Sequence, residues 1–116
     1  MAHVVVFAGE YDLANKTELR KELSRLHSAR DLVLDMSEVT FIDSTFISEL
    51  ILLQNKRKKN GLSGVTVIAP PKSLVRKLFQ ITGIVSLLHV VEAYPVRDDG
   101  SAGSIIVEYA GVGRSA

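Results

Sequence analysis

The chain predicts an α/β fold: a single domain on a mostly parallel four-stranded sheet, with helices alternating between the strands. Three observations carry this prediction. Short runs rich in β-branched residues alternate with segments whose apolar residues recur at helical spacing. Caps and turn residues fall at the junctions between them, and 116 residues at 47% hydrophobic provide material for one core. Strands joined through helices pair in parallel by right-handed crossovers.

Val4 to Ala8 is a continuous apolar run, the pattern of a strand buried on both faces, and Gly9 is expected to end it. Asp12 can accept from the first amides of a helix carrying Leu19, Leu23 and Leu26 on one face and closing between His27 and Arg30. A second strand is expected over Leu32 to Met36, with Ser37 to Thr40 as a connection. A second helix then starts at Asp43-Ser44, with apolar Phe46, Ile47, Leu50, Ile51 and Leu53. Its end is marked by Lys56, Arg57, Lys58 and Lys59, which favour the negative end of the helix dipole as a solvated face, and by Asn60-Gly61. Val65 to Ala69 reads as a third strand. Pro70-Pro71 should open a third helix with Leu74, Val75, Leu78 and Phe79 buried and Gly83 as its stop. Leu87 to Val91 completes the set of four. Arg97 to Gly103 reads as a polar loop, Ile105 to Tyr109 as a possible extra edge strand, and residues 111–116 as a flexible tail after a domain over residues 1–110.

The formal charge of +1 gives no global field toward nucleic acid or an anionic membrane, so a protein partner is expected. No cysteine is present, which excludes disulfides and thiolate metal sites. The N-terminal residues lack a basic region and a long apolar run, and no stretch has transmembrane length, so the expected compartment is the cytoplasm. His3, His27 and His89 fall in separate elements without ligand spacing; no metal and no cofactor are expected. Asn60-Gly61-Leu62-Ser63-Gly64 lacks the lysine of a phosphate-binding loop. A serine nucleophile at Ser44 would need a positioned base, and none stands at a suitable spacing, so an enzyme is not expected.

The chemistry of interest lies in Phe41-Ile42-Asp43-Ser44-Thr45-Phe46, where a strand hands over to a helix. In open parallel sheets, ligands and partners are met beyond the carboxyl ends of the strands. Taken alone, Asp43 and Ser44 fit simple N-capping.

Gly9-Glu10-Tyr11-Asp12, Leu32-Val33-Leu34-Asp35-Met36-Ser37, Phe41-Ile42-Asp43-Ser44-Thr45, and Pro71 followed by Val75 to Phe79 and Thr82-Gly83-Ile84 occur in one order. In this ordered set, the chain resembles the STAS domain family, whose bacterial single-domain members are anti-sigma factor antagonists. The resemblance runs over about Val4 to Val91 and implies a STAS-like sandwich. It implies Ser44, or alternatively Thr45, as the residue phosphorylated by an anti-sigma factor that is itself a serine kinase. The unmodified protein would bind that kinase and release a sigma factor. It further implies Asp12, Asp43, Ser44 and Thr45 as partner-binding residues, Asp12 serving kinase docking or capping, and Phe46 joins them as an aromatic of the kind common at binding hot spots. Members usually carry a small glycine where Phe46 stands; the ring would either obstruct a kinase or anchor a partner. An unphosphorylated STAS scaffold in a signalling complex is the alternative. Members also usually begin with one more strand, so Ile105 to Tyr109 is expected to cover the sheet edge. A monomer or weak homodimer is consistent with that edge.

Overall fold

The computed structural model describes residues 2–26, 28–29, 31–93 and 105–110. Five strands, β1 (Ala2–Tyr11), β2 (Asp31–Ile42), β3 (Thr66–Ile68), β4 (His89–Val91) and β5 (Ile105–Tyr109), form one sheet in the order β4-β3-β2-β1-β5. Every pairing is parallel. Three helices, α1 (Lys16–Leu26), α2 (Ser44–Lys59) and α3 (Leu74–Thr82), connect the first four strands. The C-terminal strand pairs along the outer edge of β1, matching Val4 with Val107, so the expected edge cover is present. The Arg97 to Gly103 loop and the 111–116 tail lie outside the described residues, as do His27 and Arg30.

The core follows from alternation in the strands. Val5, Phe7, Leu32, Leu34, Met36 and Val67 face the helices, whose Leu19, Leu23, Leu26, Phe46, Leu50, Leu53, Val75 and Phe79 fill the same cluster. Val4, Val33 and Ile68 form a second, smaller cluster with Val91. The continuous apolar run of β1 is thus buried on both faces, as its composition predicts.

Both central strands run further than their sequence suggests. Gly9 does not end β1; with φ at 86° it lies beside two register shifts, after which Glu10 pairs with Phe41 and Tyr11 with Ile42. A positive φ is inexpensive only for glycine, so Gly9 can bend β1 opposite the segment of β2 that carries the extra residues. Ser37 to Thr40 is likewise not a connection but part of β2, because Glu38 and Val39 pair with Ala8 and Gly9. Its polar residues point outward while Val39 and Ile42 keep the inward positions.

Other boundaries move by a few residues. A single 3-10 turn, Leu13–Asn15, precedes α1, which ends at Leu26. β3 shrinks to Thr66–Ile68, and a 3-10 turn at Ile84–Ser86 leads to the short β4. Pro70-Pro71 forms a turn ahead of α3, whose N-cap is Ser73: its hydroxyl accepts from the Arg76 amide at 3.2 Å and donates to the Pro70 carbonyl at 2.8 Å. Consequently α3 starts three residues later, and Leu74 is exposed instead of buried. Gly83, with φ at 76°, stops the helix as expected.

The basic end of α2 divides into two environments. Gly61 (φ 75°) allows a Schellman closure in which the Leu62 amide donates to Arg57 O at 2.9 Å and the Gly61 amide to Lys58 O at 3.1 Å. Lys56, Lys58 and Lys59 are solvated, but Arg57 is fully buried. It lies four residues past Leu53 and seven past Leu50, hence on the buried stripe. Its guanidinium donates to Ser63 O at 2.9 Å and Ala29 O at 2.5 Å, tying α2 to two loops. Burial lowers its pKa from the ordinary arginine value, and Asp31 opposes that shift. Gln54 makes a similar brace, accepting from the Val65 amide at 2.7 Å and donating to Leu87 O at 3.0 Å.

β5 is fastened by charge. The His3 ring donates to Glu108 at 2.7 Å, and Arg25 of α1 reaches the other Glu108 oxygen. Arg25 first, then His3, holds the Glu108 carboxyl below its usual range. A carboxylate whose folded pKa is depressed stabilises the fold above its unfolded pKa, and that contribution is lost as pH falls through the folded value. The protection of the β5 amides, taken relative to their intrinsic exchange rates in hydrogen–deuterium exchange, therefore falls on acidification through the carboxylate range, and Glu108→Gln removes that acid-side dependence. Arg57→Ala leaves two carbonyls without their charged donor and lowers stability by about 3–5 kcal/mol in urea denaturation.

Candidate functional site

Because β1 and β2 end level at Tyr11 and Ile42, the next residue of each chain segment, Asp12 and Asp43, lies at the same rim of the sheet. Both are helix caps. The Asp12 carboxylate accepts from the Ala14 amide at 2.9 Å, and the Asn15 side chain accepts from the Asp12 amide at 2.9 Å. Asp43 does more: Oδ1 accepts from the Thr45 and Phe46 amides at 2.9 and 3.4 Å, while Oδ2 accepts from the Leu13 amide at 3.2 Å. One carboxylate therefore caps α2 and fastens the turn that leads into α1. The Asp43 amide donates to Tyr11 O at 3.3 Å, closing the junction from the backbone side.

With Asp43 as the cap, Ser44 is the first residue of α2. It is exposed, and its hydroxyl has no hydrogen-bond partner among the described residues. The capping expected of both residues is thus carried by Asp43 alone. Thr45 is half-buried in the same turn. Ser44, Thr45 and Ser48 line a concavity of about 280 Å³ together with Lys16 and Arg20 of α1.

Phe46 is not at the surface. Its side chain has 0% exposure and packs edge-on against Tyr11 (centroids 5.2 Å apart, planes at 65°) and Phe7 (6.0 Å, 89°). Phe7 and Tyr11 meet at 5.4 Å. Such edge-to-face contacts contribute about 0.5–1.5 kcal/mol each beyond area burial. The expected partner contact through Phe46 does not match its burial: the ring packs below the rim and is not exposed beside Ser44. The reason is periodicity, since Phe46 heads the buried row continued by Leu50, Leu53 and Arg57. Beside it, burial pushes the Tyr11 hydroxyl up to about 12, opposed by the hydrogen bond it accepts from the Ala8 amide at 3.3 Å.

The sequence reading missed Glu49, Arg20 and Lys16. Glu49 is buried in α2, and Arg20 grips it with Nη2 at 2.7 Å and Nε at 3.2 and 3.3 Å. The pairing raises the Arg20 pKa from its ordinary value. A signal existed: Glu49 falls three residues after Phe46 and four before Leu53, on an otherwise apolar stripe where an acid needs a cation. The groove continues past this ion pair over Leu23, Leu52 and Leu53 to Lys56 and Lys59, with a volume of about 410 Å³. No group of three or more potential metal-ligating side chains occurs among the described residues, and no helix there is long and apolar enough to cross a membrane.

Known proteins share this fold. The family described as Mlab, STAS domain matches residues 2–90. The anti-sigma-B factor antagonist of Staphylococcus aureus is 31% identical over 98 residues, covering 79% of this chain and 85% of that protein. Two solved structures share the fold. A candidate anti-sigma factor antagonist of Thermotoga maritima has a TM-score of 0.61 at 15% identity, over 76% of this chain and 80% of that one. The Bacillus cell fate determinant SpoIIAA, in its phosphorylated form, gives 0.55 at 19% identity, over 77% and 80%. From the extent of the family match and the identity to the curated relative, the chain belongs to the STAS domain family.

Proposed function

We propose that this protein is an anti-sigma factor antagonist whose binding to an anti-sigma factor serine kinase is switched off by phosphorylation at Ser44. The observation that carries this is the free, exposed Ser44 hydroxyl at the first position of α2, beside a cap residue that is already engaged. The family and its curated relative supply the class of partner. In the modification, the Ser44 Oγ loses its proton and takes the γ-phosphoryl group of ATP, leaving ADP. The added charge of about −1.5 to −2 is tolerated at a helix start, so the fold survives.

At the partner surface the same charge acts differently. Asp12 and Asp43 already place two carboxylates at this rim, with Ser44 and Thr45 directly following Asp43. A dianion added there opposes any acidic or closely desolvated partner group, so affinity falls without a conformational change. Asp12 and Asp43 belong to the docking surface through their backbone and outward edges, while their carboxylates hold the helix starts. The buried ring of Phe46 leaves the approach to Ser44 open, which favours the switch over a scaffold that has lost regulation.

Incubation with the anti-sigma factor kinase of the native host and ATP is expected to add one phosphoryl group, located at Ser44 by mass spectrometry and absent from Ser44→Ala. Ser44→Asp is expected to bind that kinase about tenfold or more weakly than the unmodified protein in calorimetry. Modification that persists in Ser44→Ala and maps to Thr45 would move the site. Equal affinity of wild type and Ser44→Asp would identify an unregulated scaffold.

A further inference from the structure

We propose that Lys16, with Arg20 one turn behind it, holds the phosphoryl group of a modified Ser44, so that the phosphate lies back in the concavity between α1 and α2. This rests on Ser44 being the modified residue, and it assigns to α1 a part in the switch.

The charged groups around the concavity decide which cation is available. One acid lines it, Glu49 from α2, and two more, Asp12 and Asp43, cap the neighbouring helix starts just past the ends of β1 and β2. Asp12 and Asp43 are engaged with backbone amides. Glu49 is 5% exposed and depends on Arg20, so Arg20 is anchored. Releasing it would leave a buried carboxylate without its cation, a strongly unfavourable state. The Lys16 ammonium has no such commitment: it makes no hydrogen bond or ion pair among the described residues, and it lines the same concavity as Ser44. Its flexible stem and three donors suit a phosphate met as a point charge.

Arg20 can assist without leaving Glu49. A guanidinium has five N–H donors; Glu49 uses Nε and Nη2, and Nη1 has no hydrogen bond among the described residues. The Ser48 hydroxyl, four residues beyond Ser44 on the same helix face, adds a neutral donor in the concavity. The volume of about 280 Å³ accommodates a phosphoryl group. Held there, the phosphate stands at the mouth of the apolar groove over Leu23, Leu52 and Leu53, so its charge is presented along the α1–α2 face as well as at the rim.

The test is made on the full chain with phosphoserine installed at position 44 during translation, so no kinase is required. Titration of the phosphate by phosphorus NMR reads its second pKa. That pKa is expected about half a pH unit lower in the otherwise wild-type protein than in Lys16→Ala, because a neighbouring cation favours the dianion. Lys16→Arg is expected to restore the low value, and Lys56→Ala, at the far end of α2, to leave it unchanged. Proton–nitrogen correlation spectra confirm that each variant is folded. Identical titrations for wild type and Lys16→Ala overturn the proposal, as does an equal shift from Lys56→Ala, which would report only overall charge. Because the phosphate is installed synthetically, a kinase that ignores Ser44 would overturn the proposed function without altering this measurement.

Discussion

The site depends on one carboxylate. Asp43 accepts from the amides of Thr45 and Phe46 at the start of α2 and from Leu13, thirty residues earlier, at the entry to α1. Helix starts leave amides that need partners, and here one side chain supplies them for two elements at once. The geometry exists only because β1 and β2 end level, and they do so only because the chain absorbs two register shifts around Gly9. Gly9, near the end of β1, lies where these shifts fall, opposite the extra residues of β2 that bring both strand ends to the rim.

The rim is rigid below and free above. Phe7, Tyr11 and Phe46 pack edge-to-face beneath it, and Arg57 and Gln54 brace the other end of α2 against the loops of residues 28–29, 63–65 and 87. Above, the Ser44 hydroxyl and the Lys16 ammonium carry no structural duty among the described residues. Charge can therefore be added at Ser44 while every cap and packing contact stays in place. Under the proposed phosphorylation, such a surface would change its partner's affinity through local electrostatics and not through refolding.

What was legible in the sequence was mostly local chemistry. Asp12, Asp43, Gly83 and the Asn60-Gly61 pair announce caps through their own side chains or backbone freedom, and the structure uses each in that way. Strand extent was less legible, because Ser37 to Thr40 and Gly9 look like breaks until the partner strand is known; pairing with each other makes them a ladder. Arg57 and Glu49 were hidden for a different reason. Each belongs by spacing to the buried stripe of α2, but the surrounding basic run and the usual exposure of charged residues point the other way. Their partners, the carbonyls of Ala29 and Ser63 for one and Arg20 for the other, come from distant parts of the chain. Phe46 was placed at the interface by its neighbourhood to Ser44, whereas helical period sends consecutive residues to different faces.

The most direct measurement of this account is a comparison of backbone amide shifts in the unmodified protein and in the protein phosphorylated at Ser44. Changes confined to the Asp12 to Arg20 and Asp43 to Leu52 segments, with β3, β4 and α3 unmoved, are the predicted result. Shifts spreading through the sheet to α3, or loss of the Leu13 and Thr45 amide signals that report the Asp43 caps, would contradict it.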